Sequence, residues 1–173
     1  MKIFNKTILV LMAVVAISLT SCKKDDDGGG GGQAGSGTVV AKIGGSDFKS
    51  MEAASIATQT TGGGTTTVTI QGSDASGKGI VIIINNFDGT GTYEFSDNDV
   101  FVVGTYIQTD INNPQNSQTW TAPYENSGVV GELKVSEKTD TSIKGTFNFT
   151  GKNVNGDQSL KNITDGSFNL NFR

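Results

Sequence analysis

The residues able to do chemistry in this chain are few in kind. Its 173 residues include no histidine and one cysteine, Cys22. Dyads and triads that rely on a histidine base, and zinc sites built on His and Cys, are therefore excluded. What remains is oxygen and aromatic chemistry. Asp97-Asn98-Asp99 sets carboxylates at alternate positions, as a loop for a hard cation would. The glycine and the distant bidentate glutamate of such a loop do not follow. Asp97 and Asp99 thus read as a polar turn, and no metal or other cofactor is expected. Two carboxylates at a set separation suffice to hydrolyse a glycosidic bond. With 17 acidic residues and no pairing legible among them, a carboxylate hydrolase is only a distant alternative and no enzyme is expected.

The aromatic set is more suggestive. Trp120, Tyr124 and Tyr106 lie in or beside segments rich in amides and hydroxyls, among them Asn112, Asn113, Asn116 and Gln118. An exposed aromatic flanked by amides stacks on a sugar face while the amides donate to and accept from its hydroxyls. The expectation is a non-catalytic binding module for a glycan, peptide or protein. Its site would lie at the loops 110–118 and 123–127, with Trp120 as platform. The competing reading makes Trp120 a core residue of a strand at 118–122. The chain would then be a structural or interaction protein with no small ligand.

Those residues must be carried by strands. From residue 38 the chain reads as short β-rich runs divided by turn residues. Runs at 39–43 and 46–49 flank Gly44-Gly45, a two-residue hairpin signal. Residues 51–60 are ambiguous between one helical turn and a strand near 55–59. A strand at 65–71 alternates, and the next, at 79–85, is apolar throughout from Ile80 to Ile84. Such a strand is expected to be central and covered on both faces. Strands follow at 91–95, 100–109 and 118–122. In the last third, Val129, Leu133 and Val135 share a face, then Ile143, Phe147 and Phe149, then Phe168, Leu170 and Phe172. Asn155-Gly156 and Asp165-Gly166 read as turns. A phrase recurs as Gly-Thr-Tyr-Glu-Phe at 91–95, Gly-Thr-Phe-Asn-Phe at 145–149 and Gly-Ser-Phe-Asn-Leu at 166–170. It reads as a strand entry, with a glycine for close approach, a hydroxyl toward solvent and an aromatic into the core. About ten short strands with no long helical period predict an all-β antiparallel domain, a sandwich in preference to a flattened barrel.

The N-terminus is different in kind. Lys2 and Lys6 precede twelve uncharged residues, 8–19, too few to span a bilayer and suited to a cleaved signal. The segment ends Leu19-Thr20-Ser21-Cys22. This ending resembles a bacterial lipoprotein signal, which implies cleavage before Cys22 and lipid on the new N-terminal cysteine. The following Lys23, Lys24, Asp25, Asp26 and Asp27 resemble the acidic export tag of surface lipoproteins in Bacteroidota-type bacteria. That tag implies the outer face of the outer membrane. Three regions result: a signal peptide at 1–21, a lipidated cysteine and flexible charged, Gly-rich linker at 22–37, and an all-β domain at 38–173.

Removal of Lys2 and Lys6 takes the formal net charge from −4 to −6. That balance argues against nucleic acid as a partner, because phosphate binding needs a basic surface. The expected partners are the membrane, through lipid at Cys22, and an extracellular glycan or protein. The chain as a whole resembles the small β-rich lipoproteins of Bacteroidota, on residues 41–48, Gly91-Thr92-Tyr93, 127–130, 145–149 and 163–168. The resemblance implies a location and a fold, and no activity. Cys22→Ala is expected to release the protein from the membrane fraction and to abolish lipid labelling. A variant still membrane-bound and labelled would rule out the anchor.

Overall fold

The computed structural model describes residues 32–173. The signal segment, Cys22 and the run Lys23 to Asp27 lie outside the described residues. The chain forms β1 (Thr38–Ile43), β2 (Ser46–Lys49), β3 (Ser55–Gly62), β4 (Thr65–Ser73), β5 (Lys78–Ile84) and β6 (Gly91–Ser96). It continues with β7 (Val102–Gln108), β8 (Gln118–Ala122), β9 (Val129–Lys138), β10 (Ser142–Asn153) and β11 (Leu160–Asn171). Both readings of residues 51–60 are realised in part: one 3-10 turn at Glu52–Ala54 leads into β3. The class is all-β, and every strand ladder is antiparallel.

All eleven strands belong to one hydrogen-bonded sheet. Its path is β2–β1–β11–β10–β8–β7–β5–β4–β3, and β9 branches from β10 and carries β6. The sheet curls until β3 returns to the end of the chain. Ala57 bridges Phe172, and the Arg173 N–H donates to the Ala57 carbonyl at 3.0 Å. Beside this closure, β1 meets β4 through residues 50–51. The Val39 N–H donates to Ser50 Oγ at 2.8 Å, and the Met51 N–H to the Ser73 carbonyl at 2.9 Å. Gly72 lets the seam close, because a Cβ there would strike the Val39 and Ser50 side chains.

The core fills the inside of the curl. Ile80, Ile82 and Ile84 of β5 and Val68 and Ile70 of β4 are fully buried, facing Phe95, Leu133, Phe149 and Ile163. β5 is central, between β4 and β7, as its apolar run predicts. The expected cover on its second face is missing, because the sheet is a single curled layer among the described residues. Val81 and Ile83 point outward and are half-buried. They sit opposite Thr105 and Val103 of β7 and beside Gln71 and Thr69 of β4.

Three sequence expectations change in the last third. Asp165-Gly166 does not turn the chain: it is a bulge inside the twelve-residue β11, with Asp165 at φ 50°. Its reason is parity. Ile163 and Phe168 are an odd number of positions apart and would face opposite sides of a regular strand. The extra residue lets both face inward, opposite Phe149 and Gly145. A second irregularity, around Gly131 of β9, likewise leaves Val129 exposed and packs Val130 against the core. The recurrent Gly-x-Phe phrase is a strand entry only at β6. In β10 and β11 it is mid-strand, where Gly145 pairs with Phe168 and Phe147 with Gly166. Each ring lies over the other strand's glycine, and the two rings stack at 6.4 Å. Ser167 does not face solvent either. Its Oγ accepts the Ala34 N–H at 2.7 Å and reaches the Gly32 carbonyl at 3.1 Å, so the last residues of the expected linker lie along β11.

Removal of residues 166–173 takes away the buried Phe168 and Leu170 and the closure at Ala57. Full burial of each such side chain is worth roughly 1.5–3 kcal/mol, a large share of the roughly 5–15 kcal/mol of a whole domain. The truncated chain is expected to lose cooperative unfolding and to aggregate. A soluble truncation with an unaltered melting curve would make β11 dispensable.

Candidate functional site at the mouth of the curled sheet

One end of the curl gathers the β1–β2 hairpin tip, the start of β5, the end of β7 and the start of β11. Here the apolar inner stripes run out into polar residues. Lys78 continues the stripe of Ile80, Ile82 and Ile84 by one inward step. Gln108 continues that of Val102, Gly104 and Tyr106, and Lys161 that of Ile163. The cross-strand pairs Lys78 with Gln108 and Lys161 with Gly151 put all three on the inner side. With Ile43, Ser46, Asp47 and Tyr106 they line a cavity of about 210 Å3.

The floor is aromatic. Tyr106 is 1% exposed and Trp120 5%. Their rings stack at 5.4 Å with 29° between planes, and the Trp120 Nε1–H donates to Ser159 Oγ at 3.2 Å. The Lys161 ammonium caps the stack, 3.7 Å from the indole centroid and 5.5 Å from the Tyr106 ring. Lys161 reaches across Gly151, where a Cβ would crowd Trp120. Burial lowers the Lys161 pKa and the nearby Lys78 charge lowers it further, while Asp157 opposes both. Burial pushes the Tyr106 phenol up to about 12, and the Asp74 charge adds to the rise. The Tyr106 hydroxyl donates to Gln108 Oε1 at 3.4 Å. Asp74 caps its own turn, accepting the Ser76 and Lys78 N–H groups at 2.8 and 2.9 Å.

The expected platform is corrected by this geometry. Trp120 and Tyr106 offer no free face: each is covered by the other, by Lys161 and by the core. Tyr124 is not beside them. It follows the cis Ala122–Pro123 bond and lies against Lys152, whose Nζ is 5.8 Å from its ring. Lys152 alternates with the inward Gly151 and Asn153 and so belongs to the outer side. The loop is tied through its backbone: the main-chain N–H groups of Asn112 and Asn113 donate to Asp110 Oδ1 at 3.0 and 2.9 Å, while both side chains are exposed and lie away from the stacked rings. Asn116 offers its carbonyl to Gln118 Nε2, and Gln118 Oε1 accepts from Asn153 Nδ2 at 2.8 Å. Asn155 completes the clamp through the Thr119 N–H and the Ser117 carbonyl. Asp99 accepts the Phe101 N–H at 3.1 Å, and the Asp97 N–H donates to the Gly128 carbonyl. Both aspartates belong to a turn, and no group of three His, Cys, Asp or Glu is placed to hold a metal among the described residues.

A larger hollow of about 480 Å3 lies between residues 32–33 and the outer face of β9, β10 and β11. It holds no lysine, and its walls are the end of the linker and outward polar side chains such as Glu132, Thr146 and Asn148. The smaller mouth is the better built site, because its groups converge from four strands onto a buried stack. Sequence reasoning missed Lys78 and Lys161. The available signal was a charge in phase with a core stripe, as in Lys78-x-Ile80 and Lys161-x-Ile163. Comparison with protein-family models, curated proteins and solved structures gave no match to this chain.

Trp120→Ala is expected to cost about 3–5 kcal/mol of stability, as loss of a core tryptophan does. The wild-type emission from this sole tryptophan should be blue-shifted. An unchanged melting temperature with red-shifted emission would return Trp120 to the surface.

Proposed function

We propose that this protein is a cell-envelope lipoprotein, anchored at the outer membrane through Cys22 and facing the exterior, whose β domain binds a ligand without catalysis. The observation that carries the binding role is the mouth. Ser46, Lys78, Gln108 and Lys161 bring hydroxyl, amide and ammonium groups around a cavity of about 210 Å3 that Ile43 and Tyr106 also line. Concave sites with a few convergent polar groups on an apolar floor are where small ligands bind. The volume is below the roughly 300–1,000 Å3 of pockets that engulf a whole ligand, so the mouth suits one terminal group of a glycan or peptide. The Leu19–Cys22 ending and the acidic run behind it support the location.

A second reading has its own observation. The outer face of β3, β4, β5, β7 and β8 carries Ile56, Thr58, Thr69, Val81, Ile83, Val103, Thr105 and Ile107 with no charged side chain among its outward positions. Such a face favours an interaction lipoprotein with no small ligand.

Glycan and peptide arrays probed with the full chain separate the two. The binding module predicts hits that Ser46→Phe, a neutral bulky side chain at the exposed rim, abolishes without a change in melting temperature. Blank arrays, or hits indifferent to Ser46→Phe, would overturn binding at the mouth.

A further inference from the structure

We infer that the mouth takes an anionic ligand, or the anionic end of a larger one, with a carboxylate or phosphate seated between Lys78 and Lys161. This rests on the binding role proposed above and specifies its chemistry.

The first argument is placement. Two lysines stand at inward positions of the curl, where the neighbouring stripe residues are isoleucines. Both are half-buried, whereas lysine mostly stands exposed. Yet neither Lys78 nor Lys161 has a carboxylate within 4.0 Å among the described residues. Their charges also act on each other, since Lys78 disfavours the charged form of Lys161. An oxyanion between two like charges relieves that repulsion and meets two ammonium donors at once.

The second argument is the surroundings. Gln108 and Ser46 offer further donors at the wall and rim, and the buried aromatic floor keeps the local dielectric low. Opposing charges limit the ligand. Asp47 lines the same cavity, with its carboxylate 3.9 Å from Lys42 Nζ. Asp157 acts on Lys161, and Asp74 on Tyr106. The field is mixed, so the mouth selects a compact anion held at short range and does not attract polyanions from a distance.

The third argument is a built-in reporter. Lys161 sits 3.7 Å from the centroid of the only tryptophan. A ligand that engages its ammonium alters the charge over the indole and hence the emission.

The test is a fluorescence titration of the full chain in neutral detergent with glucuronate, inorganic phosphate and glucose. Saturable change is expected with at least one of the two anions and none with glucose. A response to glucuronate alone assigns a carboxylate-bearing sugar, and a response to phosphate alone assigns a phosphate group. Lys78→Met, which does not touch the indole, should leave melting and starting emission unchanged. It should weaken anion binding by about tenfold or more, the loss of one charge-assisted hydrogen bond. Lys161→Met keeps an apolar stem over Trp120 and should weaken it likewise. No response to either anion would overturn the inference, as would anion binding that Lys78→Met leaves intact. A glucose response equal to that of glucuronate would overturn it too, while leaving the mouth as a binding site. Array hits lost in Ser46→Phe keep the binding role even if the anions fail.

Discussion

The fold depends on a reciprocal contact in the middle of its longest hairpin. Gly145 lies under Phe168 and Gly166 under Phe147, so β10 and β11 each offer a gap that only the other's ring fills. A shift of one residue would turn every side chain to the wrong face, and a shift of two would set Phe147 against Phe168 in one direction or Gly145 against Gly166 in the other. The register is thereby fixed from within the sheet. β1 docks on the free side of β11, and β9 and β8 divide the free side of β10 between them. The same device recurs near the mouth. Gly151 opposite Lys161 leaves the space through which that lysine reaches the indole on β8.

Stability resides in that packing and very little in charge. Two side-chain ion pairs occur among the described residues, Lys42–Asp47 and Lys144–Glu137. Both are on the surface, where such pairs contribute roughly 0–1 kcal/mol. Buried polar groups are instead satisfied one by one. Ser50 and Ser55 bond each other and the backbone along the seam between β1 and β4. Asn153 and Gln118 hold the loop at 109–117 against the β10–β11 tip. Among the described residues no buried side-chain nitrogen or oxygen lacks a partner. A domain tied in this way depends little on salt.

Strand content was legible because its signals are local. Gly44-Gly45 has both residues at positive φ, as a two-residue hairpin requires, and the alternation of residues 143–149 maps onto the inner and outer faces of β10. What escaped the sequence is non-local. Asp165-Gly166 has the composition of a turn, and only its position between β1 and β10 makes it a bulge. The run Ile80–Ile84 announces a central strand but not whether a second layer covers it. The site was misread for a related reason. Trp120 and its amide neighbours have the composition of a sugar platform. The direction of a side chain is set by parity relative to the core, and counting from Ala122 puts Trp120 inside. The same count would have found Lys78 and Lys161, whose sequence neighbourhoods are otherwise unremarked.

The course of residues 32–37 has a consequence for presentation. They run along β11 and reach the outer wall of β10 and β11, so Gly32, the first described residue, lies at that wall. In the ring β3–β4–β5–β7–β8–β10–β11, β5 is three strands from that wall in either direction. Held by its N-terminus as proposed above, the domain would have a near side and a far side. The near side would carry Glu132, Asp165 and the hydroxyls of β10, polar groups suited to hydrated headgroups. The far side would be the charge-free wall of Val81 and Ile83, the first surface to meet whatever arrives from solution.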